Sequence, residues 1–396
     1  MGLVVKHNIK INMKILQTIS GFGAKSGGTS TCTYDLMKAL CTIGCDAELL
    51  TVDVDSSTDV MMGHGEEWIK VVPNDYVSPY GYSKNIKRYL HDTEYDIYHA
   101  NGLWMHCNHV TCAVARQKGK PYIITPHGML YPDALRRSYW KKWPLLKLFF
   151  NKDIMRANCL HATCVQEMDN IRAFGYRGPV AVIGNPANIP PYINDLKGRE
   201  AERRFSTFGF LGRLHPIKKV ENLLYGVARC TPEIRERIRL VIMGKGDERY
   251  EQFLRDEMVR QGLTKCVEFC GFVNGRDKFE RLAALDALFV PSDFENFGMI
   301  VTEALACKTP VFASLGTPWQ ELNEHKCGWW MERTPENIAQ VMMQVVDMST
   351  AELDAMGERG RQLVEEKYTA ESVAKQMQRL YQWITEGGEK PEFVYL

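Results

Sequence analysis

Short apolar runs alternating with amphipathic segments restrict this chain to one class of fold. In the first half the runs stand at 14–20, 47–52, 69–72, 97–100, 122–125, 159–163 and 180–183. Each is too short for a helix and apolar enough for a strand buried on both faces. Helical periodicity fills several gaps, for example 30–43 and 165–174. The stretch 186–204 contains prolines, then charges, and reads as a linker. The alternation restarts at 206–211 and continues at 239–243, 267–270, 287–290 and 310–313, and helices dominate the end, the last at 370–386. Strand–helix–strand order gives parallel sheets. The expected fold class is therefore α/β, with two Rossmann-like βαβ domains. Their expected bounds are 1–190 and 191–369, with 370–396 as a terminal helix. Ligands of such sheets bind at the carboxyl ends of strands, here in a central cleft which the domains face.

Composition agrees. A chain of 396 residues exceeds what one core supports, and 45% hydrophobic with 24% charged residues is ordinary for a globular protein. A net charge of +1 argues against a bulk nucleic-acid binder. No apolar run approaches a membrane-spanning length. The first residues lack a sustained hydrophobic region, so no signal peptide is expected, and 1–12 read as a loose extension. The chain has twelve cysteines, and many, such as Cys159, Cys164, Cys230 and Cys266, sit in apolar patterns. That pattern reads as reduced thiols in a cytoplasmic protein. The cluster His106-Cys107-Asn108-His109-Val110-Thr111-Cys112 lacks the Cys-x-x-Cys spacing of a zinc site and reads as a helix with its thiols turned inward. No metal site is expected.

The chemistry is concentrated between Pro291 and Pro310. A strand ending at Val290 runs into a loop with Glu295, Asn296, Phe297 and Gly298, and a helix begins at Met299 and carries Glu303. A helix amino end behind a glycine is an anion site, because free N–H groups and the helix dipole point there. Glu295 would stand beside whatever the anion carries, and Glu303, one turn inside, would reach a hydroxyl-rich group. A phosphate flanked by two polyols describes a nucleotide sugar. Two glutamates eight apart on an exposed helix would by themselves be merely solvated; the strand, loop and helix in register give them this meaning.

The stretch resembles the E-x7-E signature of retaining glycosyltransferases of family 4, which have the GT-B fold. Lys308 departs from that pattern, which usually has glycine there. Further motifs follow the same family. Arg213 and Lys218, in Gly-Arg-Leu-His-Pro-Ile-Lys-Lys after a strand, can clamp a diphosphate and neutralise its charge as it leaves. They match the family's arginine and lysine; Lys219 stands where glycine is usual. Gly244 and Gly246 close a strand and permit a near approach of backbone to ligand, as in the family's Gly-x-Gly near the nucleotide. Phe272 and Val273, after Gly271, resemble the strand and loop whose backbone holds the base, uracil or guanine.

In the first domain Gly27 and Gly28 match the family's paired glycine against the donor phosphate and acceptor. A dinucleotide reading of Gly21-x-Gly23-x-x-Ser26, with Asp53 ending the second strand, is the rival there. A Walker A reading fails because Lys25 precedes the glycine pair. His127, in Pro-His-Gly-Met at a strand end, can donate to a sugar hydroxyl or stabilise charge near the anomeric centre; in related enzymes a histidine there contacts the donor sugar. Asn185 matches an asparagine on the hinge side of the cleft. The run from His99 to Pro190 looks like bacterial transferases that build surface polysaccharides. The segment 136–152 interleaves Arg136, Arg137, Lys141, Lys142, Lys147 and Lys152 with Trp140, Trp143, Leu145, Leu146, Phe149 and Phe150. It reads either as an interfacial segment on anionic headgroups or as apolar residues packed into their own domain.

The resemblance implies a retaining, metal-independent hexosyltransferase. It would carry sugar from a UDP- or GDP-linked donor to a hydroxyl of a glycan or lipid-linked saccharide, in making lipopolysaccharide, capsule or exopolysaccharide. It would need no cofactor and bind no nucleic acid, and would work in the cytoplasm or peripherally on the inner face of the cytoplasmic membrane. His127, Arg213, Lys218 and Glu295 are the catalytic candidates. The donor-binding candidates are Gly27, Gly28, Asn185, Gly244, Gly246, Phe272, Val273, Asn296, Phe297, Gly298, Met299 and Glu303. The alternatives are a nicotinamide-dependent oxidoreductase and a catalytically inactive GT-B scaffold subunit.

Overall fold

The computed structural model describes residues 13–23, 27–53, 60–75, 80–187, 189–199 and 204–396. The expected extension 1–12, and Lys25 and Ser26 of the glycine-rich loop, lie outside these. The chain divides into two compact units. One holds the described residues up to Pro186 together with Ala370–Leu396; the other is Ala187–Thr369.

The first unit is built on β1 (Lys14–Ile19), β2 (Asp46–Val52), β3 (Ile69–Val72), β4 (Ile97–Asn101), β5 (Tyr122–Thr125), β6 (Cys159–Ala162) and β7 (Val180–Val182). All of these pair in parallel. In the second unit β8 (Ser206–Leu211), β9 (Ile238–Met243), β10 (Val267–Gly271), β11 (Ala287–Val290), β12 (Val311–Ser314) and β13 (Gly328–Met331) form an all-parallel sheet. The last strand, β14 (Val394–Tyr395), returns to the first sheet and pairs antiparallel with β7. The two orders are β14-β7-β6-β5-β4-β1-β2-β3 and β10-β9-β8-β11-β12-β13. Each reverses direction once, between β1 and β4 and between β8 and β11. Loops leaving the strands on either side of such a reversal diverge and leave a crevice at their carboxyl ends.

Both faces of each sheet are covered, which is why the strands lack a polar face. Ile15, Leu49, Ile97 and Ile123 feed one core of the first unit; their neighbours Leu16, Leu50, Tyr98 and Ile124 feed the other. Phe208, Leu240 and Phe289 alternate in the same way with Leu288, Val290 and Val311 in the second unit. Each such side chain contributes about 1.5–3 kcal/mol by leaving water. The last helix, Ala370–Glu386, buries Val373, Ala374, Met377, Leu380 and Tyr381 in the first unit, a stripe of helical period.

Two sequence expectations change. The stretch 186–204 is only in part a linker: Ala187 and Ile193 are buried in the second unit's core, and Arg199 bonds Asp354 and the carbonyls of Leu285 and Lys308. Residues 188 and 200–203 of it lie outside the described residues. The strands β13 and β14 were not expected. The helix His106–Gln117 does turn Cys107 and Cys112 inward, and His109 binds Asp153 at 2.7 Å.

Candidate active site

In the second unit the motifs converge at the β8–β11 reversal. The β8 loop turns through a short 3-10 stretch, Pro216–Lys218, and the β11 loop runs to Gly298, whose left-handed backbone starts the helix Met299–Ala306. The loops are tied together by Asp293 N–H on the Ile217 carbonyl at 2.7 Å. Lys218 Nζ lies on Glu295 Oε1, which also accepts from Ser292 Oγ at 2.8 Å. Glu295 N–H bonds the Gly316 carbonyl at 3.0 Å. Arg213 is exposed and, among the described residues, has no ion pair or hydrogen bond. The site thus holds one engaged cation, one unengaged cation and a carboxylate already neutralised. Lys219 is turned to Asp293 at 3.4 Å, and Arg333 pairs with the same carboxylate.

Glu303 is buried and meets Lys278 Nζ, from the helix Gly275–Ala283, at 2.7 Å. Burial pushes its carboxyl above the usual range, and the Lys278 ammonium pulls the other way. Sequence reasoning missed Lys278; the two helices meet only in three dimensions. Phe297 is not open to a ligand. Its ring packs on Trp319 and Tyr368, and its carbonyl accepts from Trp319 Nε1 at 2.5 Å. Asn296, Gly298 and Met299 remain half-buried at the helix start. Val273 is buried in the core, whereas Phe272 stands exposed beyond β10.

Gly244 and Gly246 differ from expectation in their partner. A Cβ on Gly244 would lie 1.8 Å from the Gly212 carbonyl oxygen, and one on Gly246 1.8 Å from that of Leu214. The close approach that needs glycine is therefore to the loop carrying Arg213, and the glycines fix that loop. Lys219 and Lys308, the two departures from the family pattern, both have left-handed backbones, with φ of 51° and 60°. Glycine adopts that conformation freely and other residues at a cost of about 1–2 kcal/mol, which accounts for the usual residue.

In the first unit Gly27 caps the helix Gly28–Thr42, and among the described residues a Cβ on either Gly27 or Gly28 would meet nothing within 4 Å. Asn185 is half-buried beyond β7. His127 follows β5 with a left-handed backbone, φ 50°. Gly128 N–H holds that turn on Glu167 Oε1 at 2.5 Å. His127 Nε2 is 3.2 Å from Asn101 Oδ1. The packing around the ring pushes its pKa down to about 3, with His161 adding to the effect, so it is neutral at physiological pH.

The segment 136–152 divides. Phe150 is buried, and Leu145, Leu146 and Phe149 pack on the same core. Lys142 turns inward to the Ala134 carbonyl at 2.5 Å and over the Trp104 ring. Tyr139, Trp140, Trp143 and Leu148 stay exposed, with Lys141 over Trp140 and Lys147 over Trp143. A further cavity of about 620 Å³, lined by Thr207, Arg239 and Asp286 among others, opens at the amino ends of the second sheet, away from these motifs.

Comparison with known proteins agrees with this fold. Residues 27–186 match the glycosyl transferase 4-like domain and residues 196–363 the glycosyl transferases group 1 family. The chain is 33% identical over 177 residues to an uncharacterized glycosyltransferase of Methanocaldococcus jannaschii, aligned over 43% of each protein. The match thus spans under half of that relative's length. In fold it is similar to the Anabaena protein HepE, crystallised with UDP and glucose, at TM-score 0.69, 19% identity and coverage of 93% of this chain and 99% of the other. It is likewise similar to WaaG, a glycosyltransferase involved in lipopolysaccharide biosynthesis, at TM-score 0.64, 14% identity and coverage of 94% and 100%. The chain belongs to the glycosyltransferases, joining a 4-like domain to a group 1 domain in the GT-B fold.

Proposed function

We propose that the protein is a retaining hexosyltransferase that takes sugar from a nucleotide diphosphate sugar and passes it to a hydroxyl of a glycan or lipid-linked saccharide. The observation that carries this reading is the Lys218–Glu295 pair beside the unengaged Arg213, at the sheet reversal and at a helix amino end. Arg213, Lys218 and the N–H groups after Gly298 hold the diphosphate. Glu295 stands by the sugar and Glu303 by the ribose. Neither carboxylate is poised as a free nucleophile, since Lys218 and Lys278 engage them. A double displacement requires one close to the anomeric carbon. Front-face attack, in which the departing phosphate takes the acceptor's proton, fits better. The acceptor belongs to the making of a surface polysaccharide, a reading supported by the likeness to WaaG. A thermal-shift panel of UDP-, GDP-, ADP- and dTDP-sugars tests the donor. A ligand at a hundred times its dissociation constant stabilises by ~2.7 kcal/mol; no shift with any of them would sink the reading.

Two expected results follow. Transfer persists in saturating EDTA, because protein cations and a helix amino end carry the phosphate charge; full loss on chelation, restored by magnesium or manganese, would refute this.

The second concerns the exposed Tyr139, Trp140, Trp143 and Leu148 among Arg136, Arg137, Lys141 and Lys147, which form a docking surface for an anionic membrane bearing the acceptor. Each basic side chain near such a surface contributes about 1 kcal/mol. The protein therefore floats with anionic liposomes at low salt and is released as salt rises. Changing Arg136, Arg137, Lys141 and Lys147 to glutamate abolishes flotation and spares donor hydrolysis. A folded, active protein that does not float at low salt rules the surface out.

A further inference from the structure

A chain of buried polar groups links the carbonyl of Ile183 to His127 through the last helix. Its proton positions can be worked out one by one. His161 Nε2 lies 2.8 Å from the Ile183 carbonyl, which can only accept, so Nε2 carries the proton. The buried ring is neutral, its pKa pushed down to about 4, so Nδ1 is bare. Thr125 Oγ1, at 2.8 Å, therefore donates to it. With its proton used, Thr125 accepts from His99 Nε2 at 2.6 Å. Burial holds the His99 pKa well below its ordinary value, so His99 Nδ1 is bare and takes the proton of Tyr381 at 2.8 Å. Tyr381 has no second proton to give and accepts from Gln17 Nε2 at 2.8 Å. Gln17 Oε1 accepts from Asn101 Nδ2 at 2.9 Å, which leaves Asn101 Oδ1 facing His127 Nε2 at 3.2 Å. An amide oxygen only accepts, so His127 carries its proton on Nε2 and presents a bare Nδ1.

We propose that the last helix, through Tyr381 and this one-way relay, sets His127 as a hydrogen-bond acceptor, so that the ligand group it receives is a sugar hydroxyl and not a phosphate oxygen. The donor role expected from the sequence is thereby reversed. A phosphate oxygen needs a donor; Nδ1 has none to offer, and among the described residues it has no protein partner. The relay stands on unit-one geometry alone, while the hydroxyl rests on the glycosyl-transfer reading above. Gln17, Asn101 and Tyr381 are positioning residues that act through His127. All three are buried, so the orientation does not depend on bulk water.

The test is histidine ¹⁵N NMR on the full chain at pH 7, with His127 assigned by its loss in His127→Gln. The expected pattern is an Nε2–H tautomer with bare Nδ1 at His127, His99 and His161. Tyr381→Phe keeps the ring in the core and cuts the relay, so His127 moves to averaged shifts of both tautomers, while Met377→Leu on the same helix leaves it unchanged. Where Tyr381→Phe does not fold, Asn101→Asp serves: the carboxylate raises the His127 titration midpoint by about 1–3 pH units. Saturating UDP-glucose moves the His127 Nδ1 signal and free UDP does not. A proton on Nδ1 in the wild-type chain, an unmoved His127 in folded Tyr381→Phe, or an unmoved midpoint in Asn101→Asp overturns the relay. An equal response to UDP and UDP-glucose overturns the hydroxyl assignment. Failure of every nucleotide sugar to bind leaves the tautomer pattern standing and counts against the transferase reading instead.

Discussion

Arg213→Ala and Lys218→Ala each lower kcat/KM for the donor by on the order of 10²-fold or more, as expected when a charge-assisted contact to a departing phosphate is lost. The structure separates the two. Arg213 is exposed and unengaged among the described residues, so its removal subtracts ligand contacts and leaves the fold untouched. Lys218 also neutralises Glu295. Removing it leaves a half-buried carboxylate with Ser292 alone, an uncompensated negative charge next to the proposed diphosphate site. Lys218→Ala therefore loses more affinity for the free nucleoside diphosphate than Arg213→Ala does. Adding Glu295→Gln to Lys218→Ala restores part of that affinity without restoring turnover. Calorimetry with the free diphosphate and initial rates with the intact donor decide it. Near-normal turnover in both single variants would remove these residues from the diphosphate site.

The βαβ order was readable because strands buried on both faces are apolar from end to end, and because loop and helix signals punctuate them. Residues 69–72, 122–125, 206–211 and 287–290 coincide with strands in the structure. The missed strands lie at edges. The β13 run, Gly328–Met331, is half-buried throughout and has tryptophans where a core strand has aliphatic residues. The two residues of β14 are a strand only because β7 offers its free edge to them. Neither carries a local pattern.

The site was legible as motifs and not as contacts. Glu295 and Lys218 stand far apart in the chain, and their separate motifs did not say that each occupies the other. Lys278 has no signature in the helix Gly275–Ala283, where it reads as one more solvated cation until Glu303 is brought against it. Gly244 and Gly246 were read as room for a ligand; the neighbouring backbone fills that room. Phe297 belongs to a signature and serves the core. The polarity of His127 is the extreme case, because it is decided at the Ile183 carbonyl and transmitted through residues from four strands and the last helix.

Glu303→Gln and Glu295→Gln part company in what they lose. Glu303 sits one turn into its helix, and in the proposed site its carboxylate accepts from the ribose hydroxyls while Lys278 holds its charge. The charged hydrogen bond is worth about 1.5–3 kcal/mol, so Glu303→Gln weakens the free nucleoside diphosphate by roughly 10- to 100-fold, and the intact donor alike. Glu295→Gln releases Lys218 from its partner. The free diphosphate then binds as well as before or more tightly, because an anion beside the phosphate has gone and a cation is freed. Turnover of the intact donor still falls, by on the order of 10- to 100-fold, since the sugar loses its carboxylate. Titrating both variants with the free diphosphate and assaying each with the donor separates the roles. Equal damage to diphosphate binding in both would mean that the ribose and sugar assignments are wrong, whatever the clamp residues do.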